Sequence, residues 1–233
     1  MTIDDQLSGK GTDFSNGRRR NTTSFYEATW GRVFALVYDT AFGLTERRGL
    51  RDVRKELIGH SKGRVVELGA GTGLNLAHYP KDVSELLLTE PDAQMAAKLR
   101  KRAGSSALDA RVIQAPAEEL PFDDGSVDTV VSTLVLCTVK DPDRALAEVA
   151  RVLRPGGSLL FAEHVRSASP RAARWQDRLN TPWSWYGCGC QCNRDTISAL
   201  RRAAFQVGEV RHDRLRWISP VVRPLVVGSA LPS

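Results

Sequence analysis

The chain has 233 residues, 42% of them hydrophobic, which suits one globular domain with a sizeable core. Its net charge of +6 comes mainly from arginines scattered along the chain, which favours a solvated surface, and we expect no nucleic-acid partner. No apolar run approaches the roughly 18 residues of a membrane span, and no signal-peptide core begins the chain. We therefore expect a soluble, cytoplasmic protein whose four cysteines stay reduced.

About sixty residues precede the first predicted strand. Residues 1–21 are polar and contain several glycines, which predicts a flexible tail. Residues 22–37 and 44–58 carry apolar side chains at three- and four-residue spacing, which predicts two helices that cap a binding site over residues 22–60. In this cap Tyr38 is a candidate for contacting a bound ligand, and Tyr26 and Trp30 are candidates for a second substrate. Simple core packing explains Trp30 equally well.

Residues 64–75 read RVVELGAGTGLN, an apolar, β-branched run followed by three glycines at alternate positions. This pattern predicts a buried strand, a tight turn that a ligand can approach closely, and a helix that Pro80 ends. The spacing differs from the GxGxxG of dinucleotide-binding folds, and an acid stands where it would repel a pyrophosphate and attract a cation. The candidate binding residues here are Glu67, Gly69, Ala70, Gly71, Gly73 and Asn75.

A second strand is predicted over residues 84–89 and ends in Glu90-Pro91-Asp92. An acid at the tip of the second strand of a βαβ unit accepts hydrogen bonds from ribose hydroxyls, so Glu90 is the candidate for that role. Pro91 is predicted to begin the next helix, and Met95, one turn later, could touch a base, although packing also explains it. Two acids around a glycine turn suit a nucleoside ligand with a cationic end.

The rest of the chain predicts five more strands, over residues 110–114, 127–132, 158–162, 206–216 and 220–230, the last two forming an antiparallel hairpin. Helices are predicted after Asp141-Pro142, after Ser169-Pro170 and after Asn193. Residues 133–137 follow the fourth strand. By the rule that ligands bind beyond the carboxyl ends of parallel strands, this segment should line the site.

Four motifs occur in one order: ELGAGTGLN, TEPD, APAEELPFDDGSVD and RVLRPGGSLLF. They resemble the successive motifs of class I S-adenosylmethionine (SAM) dependent methyltransferases, in the type 11 branch related to ubiquinone C-methyltransferases. The resemblance covers residues 64–163. It implies a Rossmann-like α/β fold with helices on both faces of a seven-stranded, mostly parallel sheet whose last strand is antiparallel, and it implies SAM as the cofactor.

The resemblance also implies an organisation and further contacts. Residues 22–233 would be one domain, with a SAM-binding core over 61–165 and an acceptor-side region and hairpin over 166–233. Ala117 and Glu118 would meet the adenine edge, and Thr133 and Leu134 would meet the methionine part of SAM.

A narrower resemblance rests on VVSTLVLCTVK, FAEHV, WQD and GCGCQCNRDT. These stretches are similar to vertebrate methyltransferase-like proteins of the endoplasmic reticulum that methylate alkyl thiols, which implies a small-molecule thiol as the acceptor. That family carries a hydrophobic N-terminal segment, which is not expected in this chain.

The reaction that these resemblances imply makes small demands on the protein. The methyl group of SAM lies on a positive sulfur, so an enzyme must mainly align the acceptor and exclude water. A thiol, with a pKa of about 8.5, needs little further activation. His164 and Glu163 at the tip of the fifth strand are candidate bases, and a structural role for His164 stays open. Nitrogen, oxygen or carbon acceptors and a non-catalytic SAM-binding protein are the alternatives.

Residues 181–192 read TPWSWYGCGCQC, and we interpret them as irregular. The aromatic rings in and before this stretch predict an apolar acceptor pocket, with core packing explaining one or two of them. The cysteine spacing does not match structural zinc sites, so no metal is expected. Cys190 and Cys192 are interpreted as pocket lining, and Cys137 as a buried residue beside the methionine end. The candidate acceptor-binding residues are Tyr26, Trp30, Cys137, Trp175, Trp183, Trp185, Tyr186 and Cys188.

Overall fold

The computed structural model describes residues 43, 46–106, 108–187 and 189–233, and the following account concerns those residues. They form one sheet of seven strands in the order β3-β2-β1-β4-β5-β7-β6. All neighbouring strands are parallel except β7, which is antiparallel to both β5 and β6. This confirms the predicted Rossmann-like fold class. The strands are β1 (Arg64–Leu68), β2 (Glu85–Thr89), β3 (Ala110–Ile113), β4 (Val127–Thr133), β5 (Leu153–His164), β6 (Phe205–Arg214) and β7 (Pro224–Pro232).

The central strands are mostly apolar because helices and loops cover both faces of the sheet. Successive residues of β1 enter opposite cores: Val66 and Leu68 pack in one hydrophobic cluster, and Val65 packs in the other. Glu67 breaks this pattern. It lies in the middle of the sheet, opposite Leu88 of β2 and Val131 of β4, and is almost fully buried.

Five α-helices occur in the described residues: α1 (Arg51–Ile58), α2 (Ala93–Ala103), α3 (Pro142–Val152), α4 (Pro170–Tyr186) and α5 (Thr196–Arg202). Asp141 caps α3 as predicted, since its side chain accepts from the backbone N–H of Arg144. The predicted starts of α2 and α5 were wrong. Asp92 caps α2, so that Pro91 precedes the helix, and Asp195 rather than Asn193 caps α5.

Three other elements differ from the predicted ones. The chain after the glycine loop forms only a short 3₁₀ turn, Leu76–His78, and not an α-helix. Helix α4 continues through Pro182 to Tyr186, although residues 181–192 were expected to be irregular. The predicted helix over 44–58 is a π-helical turn, Glu46–Leu50, that runs into α1.

Several predicted positions lie outside the described residues: the tail over 1–21, most of the cap, Tyr26, Trp30, Tyr38 and Cys188. In the described ranges, no helix is both long and apolar enough to cross a membrane.

Candidate functional site

The loop between β1 and the 3₁₀ turn uses its three glycines for different reasons. All three have positive φ, at 50° for Gly69, 58° for Gly71 and 84° for Gly73. A Cβ at Gly69 would lie 3.0 Å from Val135, and one at Gly73 would lie 2.8 Å from Leu99, so these two positions have no room for a side chain. Among the described residues, a Cβ at Gly71 would meet only the carbonyl oxygen of Gly69, at 3.9 Å. The space beside Gly71 is therefore open to a ligand.

Glu90, the residue after β2, lies against this loop as the sequence predicts. One carboxylate oxygen accepts from the backbone N–H of Gly71 at 2.8 Å, and the other accepts from the N–H of Asp92 at 2.9 Å. Ala70 is tied to the same strand end, because its N–H donates to the carbonyl of Thr89 at 2.8 Å. The first glycine turn and the second strand tip are thus held together as one unit.

Glu67 reaches beneath the loop and is held by two side chains that follow it. Asn75 Nδ2 donates to Glu67 Oε1 at 2.8 Å, and the Tyr79 hydroxyl donates to Oε2 at 2.6 Å. Burial raises the pKa of Glu67 to about 7, although these hydrogen bonds and the nearby Arg54 charge favour the ionised form. The carboxyl group therefore titrates near neutrality.

Arg54 on α1 completes this buried network, and the sequence reasoning missed it. Its NH1 donates to Asn75 Oδ1 at 2.7 Å and to Thr133 Oγ1 at 3.0 Å, and its Nε pairs with Glu46 at 2.9 Å. Thr133 also accepts from Asn75 at 2.9 Å. The network therefore links the helix before the sheet, the glycine loop and the end of β4. A readable signal existed: Arg54, Leu57 and Ile58 share the buried face of α1 at helical spacing.

The residues that were predicted to meet the adenine end of SAM differ in their exposure and contacts. Pro91 is exposed and Met95 is half-buried in the first turn of α2. Ala117 is buried and packs in the core. Oε1 of Glu118 accepts from the backbone N–H groups of Lys140 and Asp141, ahead of α3, so its contact with adenine stays a prediction.

Glu163, a candidate base, holds the loop after β4. Oε1 accepts from the Ser132 hydroxyl at 2.7 Å and from the N–H groups of Val135 and Leu136 at 2.9 and 3.1 Å. Oε2 accepts from the N–H of Cys137 at 3.4 Å. A fully buried carboxylate whose two oxygens meet four protein donors is placed as a structural anchor rather than as a base facing a substrate.

Leu134 lies within this anchored loop and has a φ of 59°, a conformation that costs a non-glycine residue about 1–2 kcal/mol. Its N–H donates to the carbonyl of Ala162 at 2.9 Å, which fixes the loop over the tip of β5. Strain that the surroundings enforce in this way is concentrated at functional sites.

His164 ends β5 and meets two cysteines. Its Nε2 lies 2.9 Å from Cys190 Sγ, and ligand atoms of Cys137, His164 and Cys190 all lie within 4.8 Å of one another. We call these three buried residues the thiol–imidazole cluster. A hydrogen bond between the two cysteines raises the pKa of Cys137, with burial adding to the rise, and the same bond lowers the pKa of Cys190, with help from His164. No spacing in the sequence indicates that these three residues converge.

In the described part of the chain, three of the four aromatic side chains of α4 that were predicted to line an acceptor pocket are exposed. Trp175, Trp185 and Tyr186 are 58%, 69% and 63% exposed, and Trp175 stacks under the guanidinium of Arg178. Trp183 alone among the described aromatic candidates reaches the cluster, since its Nε1 donates to Cys190 Sγ at 3.1 Å. Cys192 packs beside Cys137 and Cys190, but its sulfur is not among the three convergent ligand atoms and lies near the carbonyl of Gln176.

Comparison with known proteins agrees with this geometry. Residues 66–161 match the family model described as a methyltransferase domain. The chain is 34% identical over 203 residues to thiol S-methyltransferase TMT1A of Homo sapiens, covering 85% of this chain and 82% of that protein, and 37% identical over 198 residues to TMT1B of Homo sapiens, covering 80% and 78%. A solved SAM-dependent methyltransferase of Thermotoga maritima, described as a possible histamine N-methyltransferase, superposes with a TM-score of 0.65 at 25% identity, over 88% of this chain and 99% of that one.

Proposed function

Because the chain belongs to the family of SAM-dependent methyltransferases that includes thiol S-methyltransferases TMT1A and TMT1B, we propose that it methylates the sulfur of a small apolar thiol. SAM is its methyl donor, and the sulfonium group of SAM supplies an activated methyl with a neutral thioether as leaving group. What remains to the chain is to hold the donor, to align the acceptor sulfur and to exclude water.

The loop around Gly71 fits such a donor. The open space beside Gly71 admits a ligand close to the backbone, and Glu90 and Glu67 flank it with carboxyl groups. Each carboxylate oxygen of Glu90 accepts one backbone N–H and has a further lone pair, so it can also accept a ribose hydroxyl. Glu67 places partial or full negative charge near the cationic end. The residues that we propose for the donor are Glu67, Gly69, Ala70, Gly71, Gly73, Asn75, Glu90, Pro91, Met95, Ala117, Thr133, Leu134 and, from the cap, Tyr38.

The observation that favours a thiol acceptor is that the ionisable groups at the tip of β5 already have partners within the protein. The oxygens of Glu163 are occupied by four donors, and Nε2 of His164 faces Cys190. An alcohol needs a strong base to become a nucleophile, whereas a thiol is partly ionised near neutral pH. The site therefore suits an acceptor that loses its proton easily.

A matched acceptor panel tests this proposal. The protein is incubated with SAM and with thiophenol, aniline or phenol, or with an alkyl thiol and the alcohol of the same carbon chain, and S-adenosylhomocysteine is quantified. We expect both thiols to be turned over faster than the nitrogen and oxygen compounds of the same skeleton. Faster turnover of phenol or aniline would assign a different acceptor, and SAM binding without any turnover would favour a non-catalytic protein.

Donor binding is tested separately by calorimetry. Glu90→Ala removes the carboxylate that we propose for the ribose, and loss of charge-assisted hydrogen bonds worth about 1.5–3 kcal/mol each should weaken SAM binding on the order of 100-fold. Glu85→Ala is the matched control, since Glu85 begins the same strand and pairs with Arg64 and Arg111 at its far end. Equal SAM affinity in Glu90→Ala and Glu85→Ala would reject the ribose assignment.

A further inference from the structure

The thiol–imidazole cluster brings together side chains from three separate segments. Cys137 lies in the loop after β4, His164 is the last residue of β5, and Cys190 follows α4. One potential ligand atom from each lies within 4.8 Å of the other two, and all three residues are buried. Among the described residues, no other group of this kind was found.

The chemistry of this set matches zinc. Two cysteine sulfurs and one imidazole nitrogen are ligands that Zn²⁺ prefers, and catalytic zinc sites use three protein ligands and keep a fourth position open. Ligand sulfur and nitrogen atoms around tetrahedral zinc are roughly 3.5 Å apart, given bonds of about 2.3 and 2.0 Å. Because His164 Nε2 and Cys190 Sγ are 2.9 Å apart, a metal requires these atoms to separate by roughly half an ångström.

The protein around the cluster holds the ligand-bearing loops in place. The N–H of Gln191 donates to the carbonyl of Cys137 at 2.8 Å, which joins the two cysteine loops directly. Arg194 binds the carbonyls of Leu136 and Val139 on either side of Cys137. Trp183 donates to the sulfur of Cys190, an outer-shell contact of the kind that orients a thiolate ligand.

The imidazole ring is directed at the cluster rather than at the surrounding protein. Its Nδ1 is buried and has no hydrogen-bond partner among the described residues, while Nε2 faces the sulfur of Cys190. Nε2 is therefore the ring atom that faces the two sulfurs and is available to a metal.

We propose that Cys137, His164 and Cys190 bind a zinc ion whose open fourth position receives the acceptor sulfur, an inference that rests on the proposed thiol methyltransferase function. The acceptor thiol binds the metal as a thiolate and releases its proton to solvent. A lone pair of its sulfur forms the bond to the methyl carbon of SAM while the bond from that carbon to the sulfonium sulfur breaks, leaving the electron pair on that sulfur. The products are a methyl thioether and S-adenosylhomocysteine, and no oxidant or reductant is required.

Metal content is the first test, because it does not depend on activity. The full chain, produced with added zinc and purified without chelators, should contain close to one zinc ion per chain. Cys137→Ser, Cys190→Ser and His164→Ala should each lose most of it. Cys192→Ser is the matched control, since Cys192 is a buried cysteine of the same segment outside the cluster, and it should keep the metal.

Cobalt substitution of the unmutated protein keeps the proposal testable if the variants fail to fold. Bound Co²⁺ should show thiolate charge-transfer absorption, and addition of thiophenol should change that spectrum if the acceptor sulfur enters the fourth position. Little zinc or cobalt uptake, a Cys137–Cys190 disulfide in the purified protein, or equal metal loss in Cys192→Ser would each overturn the zinc site.

Two further outcomes separate this inference from the proposed function. Thiol turnover with bound cobalt whose spectrum does not respond to thiols would overturn acceptor coordination and leave the proposed function standing. Bound zinc and bound SAM without turnover of any thiol would instead contradict the proposed function.

Discussion

The donor side of the sheet edge and the acceptor side differ in how far apart their residues lie in the sequence. On the proposed donor side, Glu67, the glycine loop and Glu90 lie within one short stretch of chain from β1 to the residue after β2, and the loop backbone bonds directly to Glu90. On the acceptor side, Cys137, His164 and Cys190 come from three segments that only the folded sheet brings together. A site built from local backbone geometry can be read from a motif, whereas a site built by convergence cannot.

Arg54 is the residue whose loss should damage the donor side most. Arg54→Met keeps the side-chain volume but leaves Glu46, Asn75 and Thr133 without their buried cationic partner. Breaking a buried ion pair from one side costs about 3–5 kcal/mol, and we expect a loss of that order in the free energy of unfolding, measured by urea titration. Arg51→Met, one turn earlier and exposed, should change stability by less than about 0.5 kcal/mol. Equal effects of the two substitutions would mean that the network contributes nothing.

Glu67 should make the donor side sensitive to pH. Its pKa is raised from 4.5 to about 7 by burial, so the native state holds this proton more tightly than the unfolded chain does. The stabilisation is fully present below pH 4.5 and is lost as the pH rises through 7. Glu67→Gln cannot ionise, and we expect it to gain up to about 3 kcal/mol relative to the unmutated protein between pH 4.5 and pH 8.

The measurement is the difference in unfolding free energy between Glu67→Gln and the unmutated protein at several pH values, which cancels the titration of the other groups. A difference that stays constant with pH would show that Glu67 has the same pKa in the native and unfolded states, with the effect of burial offset by Arg54, Asn75 and Tyr79.

The same contrast explains what could be predicted from the sequence. The β-branched runs of β1 and β4 and the glycine loop were readable because periodicity and turn chemistry determine them locally. The antiparallel last strand of the sheet was implied by the family resemblance. Helix boundaries were less readable. Helix α4 passes through Pro182 because Asn180 and Trp183 bond to the segment with Cys190 and Cys192, and such tertiary contacts override local propensity.

Side-chain direction was the least predictable property. The carboxylate of Glu118 binds the backbone ahead of α3, and that of Glu163 binds the loop after β4. Neither partner is near in sequence, so no spacing rule could indicate it. Arg54 is the exception, since its position on the buried face of α1 was a sign of a buried charge that requires a partner.

Two glycine substitutions separate ligand contact from backbone strain on the donor side. Gly71 and Gly156 both have positive φ, and a Cβ at either position would clash with no atom of the residues that the structure describes. We expect Gly71→Ala and Gly156→Ala each to lower stability by about 1 kcal/mol, because alanine disfavours this conformation. Calorimetry should then show SAM affinity reduced on the order of 10-fold in Gly71→Ala alone, equivalent to about 1.4 kcal/mol. Unchanged SAM affinity in Gly71→Ala would place the donor away from this loop.

The smallest expected effects concern the tryptophans of the acceptor side. Trp183→Phe removes the indole N–H that donates to Cys190, which should cost about 0.5–1 kcal/mol of stability and raise the KM for a thiol acceptor, because the Cys190 sulfur loses a fixed partner. Trp175→Phe should leave both quantities nearly unchanged, since the Trp175 ring is 58% exposed on the outer side of α4. Steady-state kinetics with one thiol and thermal unfolding of both variants make the comparison. A larger rise in KM for Trp175→Phe than for Trp183→Phe would support the aromatic acceptor pocket that the sequence predicts. The exposed face of α4 would then have to become covered when the substrate binds.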